Sequence, residues 1–229
     1  MLGFDSAEGQ NYEKLRARMV SEVDAMYAET RAETGLAAMS PAVRAALGRV
    51  DRHRLVPPAQ APAAYRNHPL SIGSGQTISQ PYIVALSTDL LNPRKDDVVL
   101  EVGTGSGYQA AVLAEVVKQV YSIEVIESLG QAAAARLAGL GYRNVEVKIG
   151  DGYQGWPEKG PFDGILVTAA APQVPPTLVE QLKAGGRMVI PVGSSDAIQY
   201  LQVLTKRADG GYDEKRVLPV RFVPLVPGK

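Results

Sequence analysis

Between residues 98 and 192 short apolar runs alternate with stretches of helical character, and few folds accommodate that alternation. VVLEV (98–102), QVYSIEV (119–125), NVEVKI (144–149), FDGILVT (162–168) and RMVIPV (187–192) read as strands. Between them YQAAVLAEVV (108–117), LGQAAAARLAGL (129–140) and TLVEQLK (177–183) read as helices, the last closed by Gly185 and Gly186. VVLEV is a short apolar run suited to a central strand, covered on both faces. The pattern predicts an α/β fold with a doubly wound, mostly parallel sheet. The stretch 198–225 reads as two more strands around a DGG turn, which gives the sheet an antiparallel C-terminal edge.

The first 64 residues follow another rule. Leu15, Met19, Val23 and Met26 recur at helical spacing, so a first helix is expected from near Asn11. A second begins at Ser40 and Pro41, a hydroxyl cap followed by proline at the first helical position, and buries Val43, Leu47 and Val50. VPPAQAPAAYRNHP (56–69) then interrupts regular structure with four prolines in fourteen residues. The expected division is a helical extension and connector over 1–64 and an α/β domain over 65–229.

Charge and composition narrow the function. Lysine plus arginine number 24 and aspartate plus glutamate number 24, a net charge of zero with neutral histidines. No basic excess marks a nucleic-acid surface. The chain has no cysteine, which removes disulfides, thiolate metal sites and thiol nucleophiles, and its two histidines, His53 and His68, are too few for a multi-histidine metal site. No metal is expected, and both histidines are expected to be structural or exposed. The N-terminus shows no apolar signal core, and no run approaches the ~20 apolar residues that span a bilayer. A soluble, cytoplasmic protein is expected, with no membrane partner.

The sharpest local signal is VVLEVGTGSGYQ (98–109). Gly103, Gly105 and Gly107 lie between a strand and a helix, where missing side chains let the backbone turn tightly and approach a ligand. The spacing is GxGxG rather than the GxGxxG that seats a pyrophosphate, and Glu101 just before it repels phosphate. Glu124 ends the second strand, 23 residues after Glu101, and Asp151 follows the third. Three acids at one rim of a sheet suit a positively charged nucleoside without phosphate, such as S-adenosylmethionine, better than NAD. Trp156, the one tryptophan, is expected to pack over the sheet end.

The chain resembles a class I methyltransferase, and from about residue 65 it is similar to one family within that class, the protein-L-isoaspartate O-methyltransferases. The resemblance rests on LSIGSGQTISQPY (70–82), LEVGTGSGYQ (100–109), GDG (150–152), TAAAPQVPPTLVEQLKAGGRMVIPVG (168–193) and RFVPL (221–225). It implies a Rossmann-like fold, a monomer, and S-adenosylmethionine as methyl donor, with S-adenosylhomocysteine as product. The acceptors implied are isoaspartyl residues of damaged proteins and peptides. It further implies that Ser79 is the active-site serine and that Ile72, Gly73, Ser74, Gly75 and Gln76 form a loop over the cofactor, with Thr77 beside it. Glu101 and the glycines Gly103, Gly105 and Gly107 are implied at the methionine end, Glu124 at the ribose, and Asp151 with Gly152 at the adenine.

Such chemistry needs no general base. A free isoaspartyl carboxyl resembles a chain terminus with a pKa of about 3.3–3.7, so it is ionised at pH 7. Competing readings are a methyltransferase acting on another small molecule or on RNA, an NAD-dependent oxidoreductase, and a non-catalytic binding protein of the same fold. No Asp-Pro-Pro-Tyr or Asn-Pro-Pro-Phe stands after the fourth strand, which disfavours adenine N-methylation.

Overall fold

The computed structural model describes residues 5–194 and 196–228. In chain order the elements are helices α1 (Asp5–Glu29), α2 (Arg31–Thr34) and α3 (Pro41–Arg49), strands β1 (Leu70–Gly73) and β2 (Gln76–Ile78), and α4 (Pro81–Leu91). Then follow β3 (Val98–Val102), α5 (Tyr108–Ala114), β4 (Gln119–Glu124), α6 (Glu127–Gly139), β5 (Val145–Ile149) and β6 (Phe162–Val167). The chain closes with α7 (Pro176–Glu180), β7 (Leu182–Val192), β8 (Gln199–Lys206) and β9 (Tyr212–Val220).

Seven strands form one sheet in the order β5-β4-β3-β6-β7-β8-β9. The strands from β5 to β7 pair in parallel, and β8 and β9 are antiparallel additions at one edge. Alternate residues of β3 face opposite layers. Leu100 and Val102 join an apolar cluster with Phe162, Ile165 and Leu178, while Val99 joins the other cluster with Leu86, Val112 and Leu113. The outermost strand β9 carries exposed Asp213, Glu214, Lys215 and Arg216, charges that discourage further strand pairing. Trp156 is buried and meets Tyr121 edge to face, with ring centroids 5.4 Å apart. Among the described residues no helix is long and apolar enough to cross a membrane.

The N-terminal helices share the core of the sheet. Met19 and Val23 of α1 and Val43 and Leu47 of α3 are buried in the same cluster as Val99 and Leu113. The Ser40 hydroxyl accepts from the Val43 N–H (3.3 Å) to cap α3. The Asp89 carboxylate ties three helices together, accepting from the Tyr27 hydroxyl (2.6 Å) and the Ser40 N–H (3.1 Å). His53 stacks on Tyr12 with ring centroids 4.0 Å apart.

Three boundaries differ from the sequence reading. Helix α1 begins at Asp5, six residues before Asn11, because helix-compatible polar residues extend the element beyond its apolar stripe. Helix α7 ends at Glu180, and Gly185 and Gly186 do not close it. They lie inside β7, where Leu182 pairs with Phe162 and Arg187 with Gly164 across an irregularity in the ladder, and the sheet captures a segment with weak helical content. The helix after the glycine turn stops at Ala114 rather than Val117.

Candidate active site

The strand order reverses at β3: the chain proceeds outward to β4 and β5, then returns to place β6 on the other side of β3. The crevice at the carboxyl ends of such adjacent strands is where open α/β sheets bind ligands. Here it is formed by Gly103 after β3 and Thr168 after β6. The Thr168 hydroxyl lies 2.6 Å from the Gly103 carbonyl and 3.0 Å from that of Val102, and the Thr168 N–H donates to Val102 (2.9 Å). A Cβ on Gly103 would stand 2.3 Å from the Thr168 hydroxyl oxygen, and its φ of +100° suits glycine alone. The close approach of the two loops therefore depends on that glycine.

Glu124, buried at the end of β4, faces the turn. Its carboxylate accepts from the Gly105 N–H (2.8 Å) and the Ile126 N–H (3.0 Å), which fixes the turn against β4 and leaves lone pairs free for further donors. Asp151 accepts from the Tyr153 N–H (2.8 Å) and so shapes the turn that presents Gly152. The residues that the sequence reading called a loop over the cofactor form a hairpin instead. Leu70 pairs with Ile78 and Ser71 with Thr77, and Ser74 and Gly75 turn the chain with φ of +51° and +71°. Two successive left-handed residues make the tight turn whose twist matches the strands. The hairpin lies over the glycine turn, with the Ile72 methyl 3.5 Å from where a Cβ on Gly105 would stand.

One cleft collects Gln76, Thr77, Gly103, Gly105, Glu124 and Gly152. Thr168 and the C-terminal strap Val223–Val226 complete its walls. The strap is held by the Leu225 N–H donating to Ala170 (2.7 Å) and the Tyr153 hydroxyl donating to the Leu225 carbonyl (3.2 Å). Among the described residues Glu124 is the one charged residue on this lining, and no lysine, arginine or histidine faces it. That donor set suits a cationic nucleoside and disfavours a pyrophosphate. The closed arrangement encloses about 60 Å³, below the roughly 300 Å³ at the small end of ligand sites. At Thr77, Thr168 and Val223 the cleft adjoins a second cavity of about 580 Å³, on whose wall stands half-buried Ser79.

Several expected site residues stand off the cleft lining. Ile72, Gly73, Ser74 and Gly75 belong to the hairpin, Gly107 caps α5 and packs on Leu137, and Asp151 acts through its turn. Glu101 departs furthest from expectation. Its side chain is fully buried, on the same face of β3 as Val99, and does not line the rim. The Ser122 hydroxyl donates to one of its oxygens, and the other has no partner among the described residues. Burial pushes this carboxyl up to about 8, against the Ser122 hydrogen bond and with the Glu124 charge adding to the rise. Among the described residues no group of three or more acids or histidines is placed to hold a metal ion. Thr168 and the strap were not singled out as site residues, although they lie in or beside TAAAPQ and RFVPL, which are the visible signal for them.

A folded pKa raised above the unfolded value carries a sign. The stabilisation is complete below the unfolded value, near 4.5, and is lost as pH rises through about 8, because the folded state favours the proton. Glu101→Gln removes that titration. The variant should gain on the parent by on the order of a few kcal/mol between pH 5 and pH 9. Thermal midpoints across that range test this, and a constant gap between the two proteins contradicts it.

A family model of protein-L-isoaspartate(D-aspartate) O-methyltransferases matches residues 23–229. The chain is 58% identical over 217 residues to protein-L-isoaspartate O-methyltransferase 1 of Nitrosospira multiformis, covering 95% of this chain and 89% of that one. It is 53% identical over 226 residues to protein-L-isoaspartate O-methyltransferase 2 of Syntrophobacter fumaroxidans, covering 99% and 92%. A solved protein-L-isoaspartate O-methyltransferase superposes with a TM-score of 0.79 at 28% identity, covering 91% of this chain, which spans 65% of that one. A structure from Plasmodium falciparum, described as a beta-aspartate methyltransferase in complex with S-adenosyl-L-homocysteine, superposes with a TM-score of 0.74 at 25% identity, covering 94% and 98%.

Proposed function

Given that the chain belongs to the protein-L-isoaspartate(D-aspartate) O-methyltransferase family, we propose that its phosphate-averse cleft and the adjoining cavity are the donor and acceptor halves of one methyl-transfer site. The protein is an S-adenosylmethionine-dependent carboxyl methyltransferase acting on L-isoaspartyl residues. The observation that carries the site assignment is the cleft lining, where Glu124 is the sole charge among the described residues and three glycines expose backbone.

The cofactor, when bound, supplies a methyl group activated by a sulfonium. The chain's part is positioning. Glu124 takes the ribose hydroxyls with the lone pairs left by Gly105 and Ile126, and Gly103 and Gly105 leave room for the methionine end. Asp151 and Gly152 bound the adenine, and the hairpin from Ile72 through Gly73, Ser74, Gly75 and Gln76 to Thr77 closes over it. Ser79 donates a hydrogen bond to the acceptor carboxylate and orients it without becoming a nucleophile. An anion and a cation both lose charge as the methyl moves, so walls that exclude water lower the barrier. Correct placement alone supplies several of the roughly 7–11 kcal/mol available from orientation. Buried Glu101, held largely protonated at neutral pH, supports the turn from beneath.

Residues 65–229 are the catalytic unit on this reading, and the helices before them are an extension that shares its core. The protein acts as a monomer in the cytoplasm on damaged proteins and peptides, with neither nucleic acid nor membrane as partner, in keeping with its zero net charge. Transfer of labelled methyl groups to an isoaspartyl peptide tests the reading. Incorporation there and not into the aspartyl twin supports it, and none into either overturns it.

A further inference from the structure

The cavity of about 580 Å³ beside Ser79 is larger than one carboxylate-bearing arm requires, and its two ends differ in chemistry. Thr77, Ser79 and Thr168 put hydroxyls at the end that meets the cleft. The far wall comes from Met26 of α1, Thr30 just after it, Ile83 of α4, and Leu218, Val220 and Phe222 of the C-terminal edge.

Polar atoms on that wall are consumed by one another. The Thr30 hydroxyl donates to the Met26 carbonyl (2.8 Å), so the Tyr82 hydroxyl supplies the proton of the 2.5 Å contact between Thr30 and Tyr82. Asn67 accepts from the Tyr82 N–H (3.0 Å) and donates to the Met26 sulfur (3.0 Å). What remains facing the cavity is the Gln80 amide, whose Nε2 lies 3.7 Å from the Met26 sulfur, with thioether, methyl and ring carbon. Among the described residues no carboxylate lines the space, and its one charged residue, Arg221, is exposed. The wall is also held firmly, since Tyr27 on α1 is bonded to Asp89 of α4.

We infer that Met26 of α1 and Thr30, just beyond that helix, form a specificity wall for the acceptor, and that the enzyme prefers isoaspartyl sites whose neighbouring residue bears an apolar side chain. This rests on the acceptor reading given above. With the isoaspartyl carboxylate at the hydroxyl end, an adjacent side chain falls toward Met26. An apolar group there replaces water against the Met26 thioether and its apolar neighbours, whereas glycine leaves that surface uncovered and glutamate gives up hydration to reach it.

The experiment compares isoaspartyl hexapeptides that differ only in the residue on either side, set to leucine, glycine or glutamate. Wild type should favour leucine over glycine about 5- to 10-fold in kcat/KM, carried by KM, within the range that apolar pockets discriminate. Met26→Glu should bring the leucine-to-glycine ratio toward one, and Met26→Leu should keep it. Met26→Gln, a milder change, carries the same reading should Met26→Glu fail to fold. A wild-type ratio near one, a preference for glutamate, or a ratio unchanged in Met26→Glu and Met26→Gln overturns the inference. Absence of label from every isoaspartyl peptide instead overturns the function on which it rests.

Discussion

Gly103→Ala should weaken binding of S-adenosylhomocysteine at least 100-fold while the protein remains folded. Alanine at φ +100° is strained by about 1–3 kcal/mol, and its Cβ would sit 2.3 Å from the Thr168 hydroxyl. Relief requires Thr168 to rotate, which sacrifices its contacts with the Gly103 and Val102 carbonyls across the strands that define the crevice. Both walls of the cleft then shift, and a tenfold loss accompanies each 1.4 kcal/mol. The sheet beneath is unaffected, because β3 and β6 remain paired from Val99 to Val102. Calorimetric titration checks the affinity. The double variant Gly103→Ala with Thr168→Ala removes the clash but not the backbone strain, so it should recover part of the loss. Affinity within threefold of wild type in the single variant would show that the turn does not shape the donor site.

Ser79→Ala should lower kcat/KM for an isoaspartyl peptide roughly 10- to 150-fold, the value of about 1.5–3 kcal/mol for a hydrogen bond to a charged group. Ser79 stands on the wall of the larger cavity, and of a small recess beside Gly103 and Gly105, rather than on the lining of the cleft itself, so S-adenosylhomocysteine affinity should fall far less than kcat/KM and stay within twofold of wild type. The separation matters, because a general collapse of the site would weaken both. Ser79 immediately precedes Gln80, the residue before α4, and Pro81 holds the first turn of that helix in place. Alanine at that position therefore removes a hydroxyl without disturbing the chain path. Steady-state kinetics at saturating cofactor measure the effect, and full activity at limiting peptide would remove the role assigned to the serine.

The sheet was legible because its parallel strands carry short β-prone runs such as VVLEV and FDGILV, set apart by turn residues and by helical segments, a pattern that survives without tertiary information. The glycine turn was legible for a related reason, since three glycines between strand and helix have few other uses. What escaped depends on contacts distant in sequence. SIGSGQTIS is too polar and too short to announce two strands, and only Leu70, Ile72 and Ile78 hint at the alternation that makes it a hairpin. Glu101 reads as a rim acid from its place near the end of β3, yet pleating turns it toward α5, into a layer that the sequence does not reveal. Gly185 and Gly186 read as a helix stop until β6 is present to pair with β7. The first helix shows an apolar stripe, but no local signal says that Met26 on it meets Ser79, fifty-three positions later, across one cavity.

On the proposed reading, one crevice joins a sulfonium donor to an isoaspartyl carboxylate. The most direct measurement supplies labelled S-adenosylmethionine with two peptides identical except for an isoaspartyl or an aspartyl linkage. The account predicts base-labile label on the isoaspartyl peptide, at least 100-fold above its twin, and suppression of transfer by S-adenosylhomocysteine. Equal labelling of the two peptides, or label on neither, would contradict it.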